Sequence, residues 1–143
     1  MDIQESLIGA IYTLLTEDAT LKSKMGGSVR LHHVWAPPDS VFPYLVHKLD
    51  LRPLADWSPQ SKSAYLIDIW SSSPSSEETL DIKERLVELL DGLDSSTDET
   101  STFWLWKQAN GFIPEPSEGI WHYAIQFNLK HLTDSQVGVL LKR

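Results

Sequence analysis

Few residues of this 143-residue chain have types that could do catalytic or metal chemistry, and their spacing suits neither. His32 and His33 lie near Asp39, and His47 lies near Asp50, so imidazole and carboxylate ligands are available in two places. Adjacent strand residues point to opposite faces, however, so His32 and His33 cannot share one ion unless the strand bulges. Together with His122 and His131 they are expected to be surface or partly buried histidines. Asp68 interrupts the apolar run Tyr65 to Trp70, where a buried carboxylate would be a general-base candidate. Alternation puts it opposite Tyr65, Ile67 and Ile69, on the polar face, where it is expected to be solvated or to contact another subunit. There is no Gly-x-Ser-x-Gly elbow and no glycine-rich phosphate loop; Gly26-Gly27 is only a turn. No catalytic, cofactor-binding or metal-ligating residue is therefore assigned, and an enzyme is not expected.

Composition narrows the remaining classes. Twenty acidic against 12 basic residues give a net charge of -8, which argues against a protein that wraps nucleic acid, because that affinity comes from cations neutralising phosphates. Passive contact with DNA is compatible with it. Without cysteine there is neither a disulfide framework nor a thiolate metal site. The N-terminus is acidic, and no apolar run approaches the ~20 residues that span a bilayer, so a soluble protein without an export signal or a membrane partner is expected. The length suits one domain with a single core.

The elements that must position these residues follow from periodicity. Ile3, Leu7, Ile8, Ile11, Leu14 and Leu15 recur at helical spacing, with Asp2 as N-cap, and Asp18 to Lys24 reads as a further short helical turn. Strands are expected over Val29 to Trp35 and Phe42 to Leu49, joined by the rigid turn Ala36 to Ser40, and a long hairpin loop over Asp50 to Lys62. The third strand, Ala64 to Ser71, leads into a helix that a Ser75/Glu78 capping box begins behind Pro74 and that ends near Gly92. Asp94 to Ser101 reads as a polar connector, Phe103 to Gln108 as a short strand, and Asn110-Gly111 as a turn. In the last strand Trp121, Tyr123, Ile125, Phe127 and Leu129 alternate with His122, Ala124, Gln126, Asn128 and Lys130, one face core and the other polar. The order α-β-β-β-α-β-β predicts an α+β two-layer sandwich: a mainly antiparallel sheet of about five strands with two helices on one face. Residues 1–131 form its single domain, and 132–143 a C-terminal tail that is free to be flexible.

Aromatic residues carry the interaction signal. Trp104 and Trp106 alternate with Phe103 and Leu105, so both faces of that strand are apolar. Either the strand lies between two layers, or one face packs on another subunit, for which Trp is a favoured anchor. Trp35, beside Pro37-Pro38, and Trp57, in its proline-bounded loop, are the other interface candidates; the simpler alternative is that each closes an open end of the core.

As an ordered set, the helix Ser6 to Leu15, the break after Leu21, the strand Phe42-Pro43-Tyr44-Leu45-Val46, and Ile67-Asp68-Ile69-Trp70-Ser71 leading into the Glu77 to Leu93 helix resemble the tail-terminator, or tail-completion, family of long-tailed bacteriophages and related prophages. The resemblance spans most of the chain and lapses at Asp50 to Lys62, Asp94 to Ser101 and Leu132 to Arg143. It implies a non-enzymatic virion protein, assembled in the host bacterial cytoplasm and sited at the head-tail junction. There a homo-oligomeric, hexameric ring would cap the head-proximal end of the tail tube, stop its growth and present a surface to the head-tail connector. Its partners would be the tail tube protein and the connector or stopper protein, with DNA passing through unbound and no cofactor required. An acidic loop carrying Asp94, Asp98 and Glu99 would then face the lumen, where negative walls repel phosphates. A neighbouring head-tail adaptor, or a host α+β module that binds a small ligand or protein, remains an alternative.

Overall fold

Strict alternation along the apolar stretches demands a sheet with one face against helices, and the computed structural model has that form. It describes residues 3–50, 63–96 and 101–133, and within them the side chains of 7–50, 63–93 and 104–130. Helices α1 (Ile3–Thr16) and α2 (Ala19–Lys24) precede β1 (Leu31–His33), β2 (Tyr44–Asp50) and β3 (Ser63–Ser71). Helix α3 (Glu77–Leu90) then leads to β4 (Asp94–Ser96), β5 (Ser101–Ile113) and β6 (Trp121–Thr133). One sheet results, in the order β1-β2-β3-β6-β5-β4, antiparallel except for the β1–β2 pair. The α+β sandwich expected from the pattern is thus present; its first strand is shorter than expected, the turn after Asp18 is the short helix α2, and one strand, β4, is added at an edge.

Both long helices cover the same face. Leu7, Ile11 and Leu15 from α1 and Ile82, Leu86 and Leu90 from α3 share a core with Leu45, Tyr65, Ile67, Ile69, Leu105, Tyr123, Ile125 and Phe127. Each such side chain contributes about 1.5–3 kcal/mol on burial. Asp18 joins the helices to one another: its Oδ2 accepts from the Leu21 N–H at 2.8 Å as the N-cap of α2, and Arg85 of α3 donates to both of its oxygens at 2.9 and 2.7 Å. The Arg85 hydrogen bond is the main reason that its carboxyl is held below the ordinary carboxylate range. Among the described residues no helix is long and apolar enough to cross a membrane.

Four local expectations are corrected. Ser76, not Ser75, is the N-cap of α3, and its side chain makes no cap bond, while Ser75 Oγ accepts from the Glu77 N–H at 3.4 Å; Glu78 does not close a capping box but accepts from the Ser71 hydroxyl at 2.7 Å, tying the helix to the end of β3. Asn110-Gly111 is not a turn but part of β5, because pairing with β6 resumes after residue 108 and runs from Ala109 to Ile113. A register shift between Lys107 and Ala109 absorbs one extra residue, and Asp91 Oδ1 accepts from the Lys107 N–H at 2.7 Å beside it. The connector after α3 begins as a strand, with Asp94 opposite Trp104. His47 is fully buried on the helix side, where its Nδ1 and the Tyr65 hydroxyl form a hydrogen bond of 2.7 Å. The loop expected over Asp50 to Lys62 falls, except for Asp50, outside the described residues, as do 134–143 of the tail.

Candidate functional site

Register dictates what the opposite face of the sheet displays. Tyr44, Trp70, His122 and Ile113 stand side by side across β2, β3, β6 and β5; the next row is Val46, Asp68, Ala124 and Gly111, and then Lys48, Leu66, Gln126 and Ala109. Trp106 and Asn128, then Trp104 and Lys130, continue the face toward the β4 edge. No described helix packs on it. It is therefore less polar than alternation along β6 alone suggests, because β2, β3 and β5 contribute Val46, Leu66, Trp70 and Ile113.

At the centre of the first row lies His122, only 7% exposed. Its Nε2 is hydrogen-bonded to Asp68 Oδ2 at 2.9 Å and its Nδ1 to Glu115 Oε1 at 2.7 Å. The ring stacks on Trp70 at 3.8 Å between centroids, and Trp70 lies parallel to Tyr44 at 6.2 Å. A catalytic relay needs one histidine nitrogen held by a carboxylate and the other turned to a nucleophile. Here carboxylates occupy both, which makes His122 a linker between β3 and the loop before β6. The two carboxylates also lie on opposite sides of the ring rather than around a common centre. Among the described residues no group of three or more histidine and acidic side chains could hold a metal ion.

Beside this cluster the chain makes a strained turn. Val34 has φ 74°, and the Trp35 N–H donates to the His33 carbonyl at 2.9 Å, the hydrogen bond of a γ-turn. A β-branched residue seldom adopts this conformation. The Val34 N–H donates to the His47 carbonyl at 2.9 Å and fixes the turn to β2, leaving Trp35 69% exposed. Val34, Trp35 and Ala36 then form one wall of a pocket of about 320 Å³, with Tyr44, Val46, Asp68 and Trp70 as its floor and other walls. The Tyr44 hydroxyl is pushed up from its ordinary pKa, first by burial and then by the negative charge of Glu115. A second hollow, of about 270 Å³, runs along small residues Ala109, Gly111 and Ala124 between Leu66 and Ile113.

The residues singled out from the sequence are distributed unevenly over this surface. Trp35 stands at the pocket; Trp104 and Trp106 lie on the same uncovered face but toward the far edge, with Trp106 42% exposed. Asp94 lies in the edge strand β4, while Trp57, Asp98 and Glu99 are outside the described residues. His32 meets Tyr44 edge-on at 5.7 Å and His33 meets His47 at 5.9 Å, so the His32-His33 pair is divided between the two faces. The Asp68–His122–Glu115 cluster was not visible in the sequence: its members are 54 and 7 residues apart, and only the β3–β6 register makes Asp68 and His122 diagonal neighbours.

No protein-family model matches the chain, and no curated protein matches it. Among solved structures, a chain of the virion of native gene transfer agent (GTA) particle is similar, with a TM-score of 0.62 and 15% sequence identity over 83% of this chain and 89% of that one. At that identity the likeness shows a common α+β fold, spanning nearly all of both chains.

Proposed function

We propose that this chain is a non-enzymatic assembly protein of a phage-like virion. In this role it forms a ring on the head-proximal end of the tail tube, ends tube growth and offers the surface to which the head connector binds. The observation that carries the virion part is the shared fold with a gene transfer agent virion chain. The finer role rests on the resemblance of the ordered elements to tail terminators. It is supported by the sheet face that no described helix covers, which carries Leu66, Ile113, Trp104 and Trp106. Ring closure repeats one heterologous contact, and an apolar sheet face beside polar edges suits one half of such a contact. Adding the purified protein to polymerising tube subunits and imaging the products tests the role. Tubes capped at one end and shortened as its concentration rises are expected; tubes of unaltered length and uncapped ends would contradict it.

A further inference from the structure

We propose that the pocket between the Val34 γ-turn and the outer face of β2 and β3 accepts the cationic head of an arginine or lysine side chain presented by another protein. Three aromatic rings, Trp35, Tyr44 and Trp70, line the pocket, and a cation over aromatic faces is held by their quadrupoles. Val34 and Val46 supply apolar wall for the methylene stem of such a side chain. Asp68 supplies the counter-charge: its Oδ2 is bound to His122, while Oδ1 accepts from no described residue, and the side chain is 32% exposed. Two carboxylates, Asp68 and Glu115, share one imidazole, so the cluster keeps net negative charge whichever way the ring is protonated. The Tyr44 hydroxyl on the pocket wall is displaced upward mainly by burial, with the charge of Glu115 as the lesser cause. No cation of the described chain fills the role: Lys48, one row along the same face, forms no ion pair with Asp68, and Arg30 is engaged by the carbonyls of Met25, Val41 and Pro43. At about 320 Å³ the pocket lies at the small end of the ~300–1,000 Å³ range of ligand sites, a size suited to one long side chain. The strained turn that holds Trp35 over it fits the tendency of backbone strain to collect at binding sites.

This site concerns the pocket alone and does not depend on the tail-capping function. Indole N–H resonances of Trp35 and Trp70 are followed while N-acetyl-arginine amide, or its neutral isostere N-acetyl-citrulline amide, is titrated into the full chain. Saturable shifts at both indoles are expected with the arginine amide, with binding of the citrulline amide about three- to tenfold weaker. Asp68→Asn is expected to reduce arginine binding to the citrulline level. Trp35→Ala, on an exposed turn outside the core, is expected to weaken it as well and keeps the test valid should Asp68→Asn fail to fold. Equal affinity for the two amides, absence of saturable shifts at these indoles, or unchanged binding in a folded Asp68→Asn or Trp35→Ala protein would overturn the site. Arginine binding in a protein whose deletion leaves tails normal would keep the site and remove only the tail-capping function.

Discussion

Asp18 serves two elements at once, capping α2 and receiving the Arg85 guanidinium of α3. Its carboxyl is depressed below 3.8 in the folded chain, so its contribution is present above that value and is lost as pH falls through the lower folded value. Asp18→Asn keeps a capping oxygen but not the charge. The stability gap between wild type and Asp18→Asn, read by urea denaturation, should therefore be open at neutral pH and close in acid below about 3.8. Asp18→Ala also removes the cap and should cost about 1 kcal/mol more. His47 titrates in a higher window. Burial, reinforced by nearby His33, lowers it from 6.5 to about 4, so between those values the unfolded chain binds more protons than the folded one. Stability should fall as pH drops from 6.5 toward 4, by at most about 1.4 kcal/mol per pH unit, and His47→Gln should flatten that slope in the same denaturation series. The buried position of His47 was accessible in principle from alternation with Leu45 and Leu49, but the polar side chain argued locally for the surface. Its hydroxyl partner, Tyr65, appears only once β2 is paired with β3.

Among the elements, those with a strong internal period could be read from the chain, and those set by a partner could not. Helices α1 and α3 and strand β6 bury their apolar faces where the spacing demands, because that periodicity is itself the cause of burial. Strand β5 departs from this. Asn110-Gly111 has the local chemistry of a turn, yet resumed pairing with β6 outweighs it, and the shift between Lys107 and Ala109 accommodates the extra residue. Gly111 has no positive φ, and a Cβ there would meet nothing within 4 Å. Gly111→Ala should therefore stabilise the isolated chain by about 0.4–1 kcal/mol, through a less flexible unfolded state. The new methyl would also enter the hollow between Leu66 and Ala124. If that face is buried between copies, the same substitution should weaken self-association, measured by sedimentation velocity and denaturation side by side.

For the whole molecule, the uncovered sheet face is the surface on which the proposed function rests. Its apolar content was legible at Trp104 and Trp106, whose alternation left one apolar face of β5 without an occupant in a two-layer sandwich. The pocket was not legible, because it joins a turn after β1 to rows of β2 and β3 that only the register brings together. Trp106→Ala should leave monomer stability within about 0.5 kcal/mol, as for most surface changes, while reducing self-association in light scattering. Normal association by that variant would remove Trp106 from the interface. The proposed tail-capping function is tested most directly by electron microscopy of the virus-like particles that the source of this gene produces, before and after the gene is deleted. Overlong tails without heads are the expected result. Normal virions, or filled heads beside tails of normal length, would contradict it.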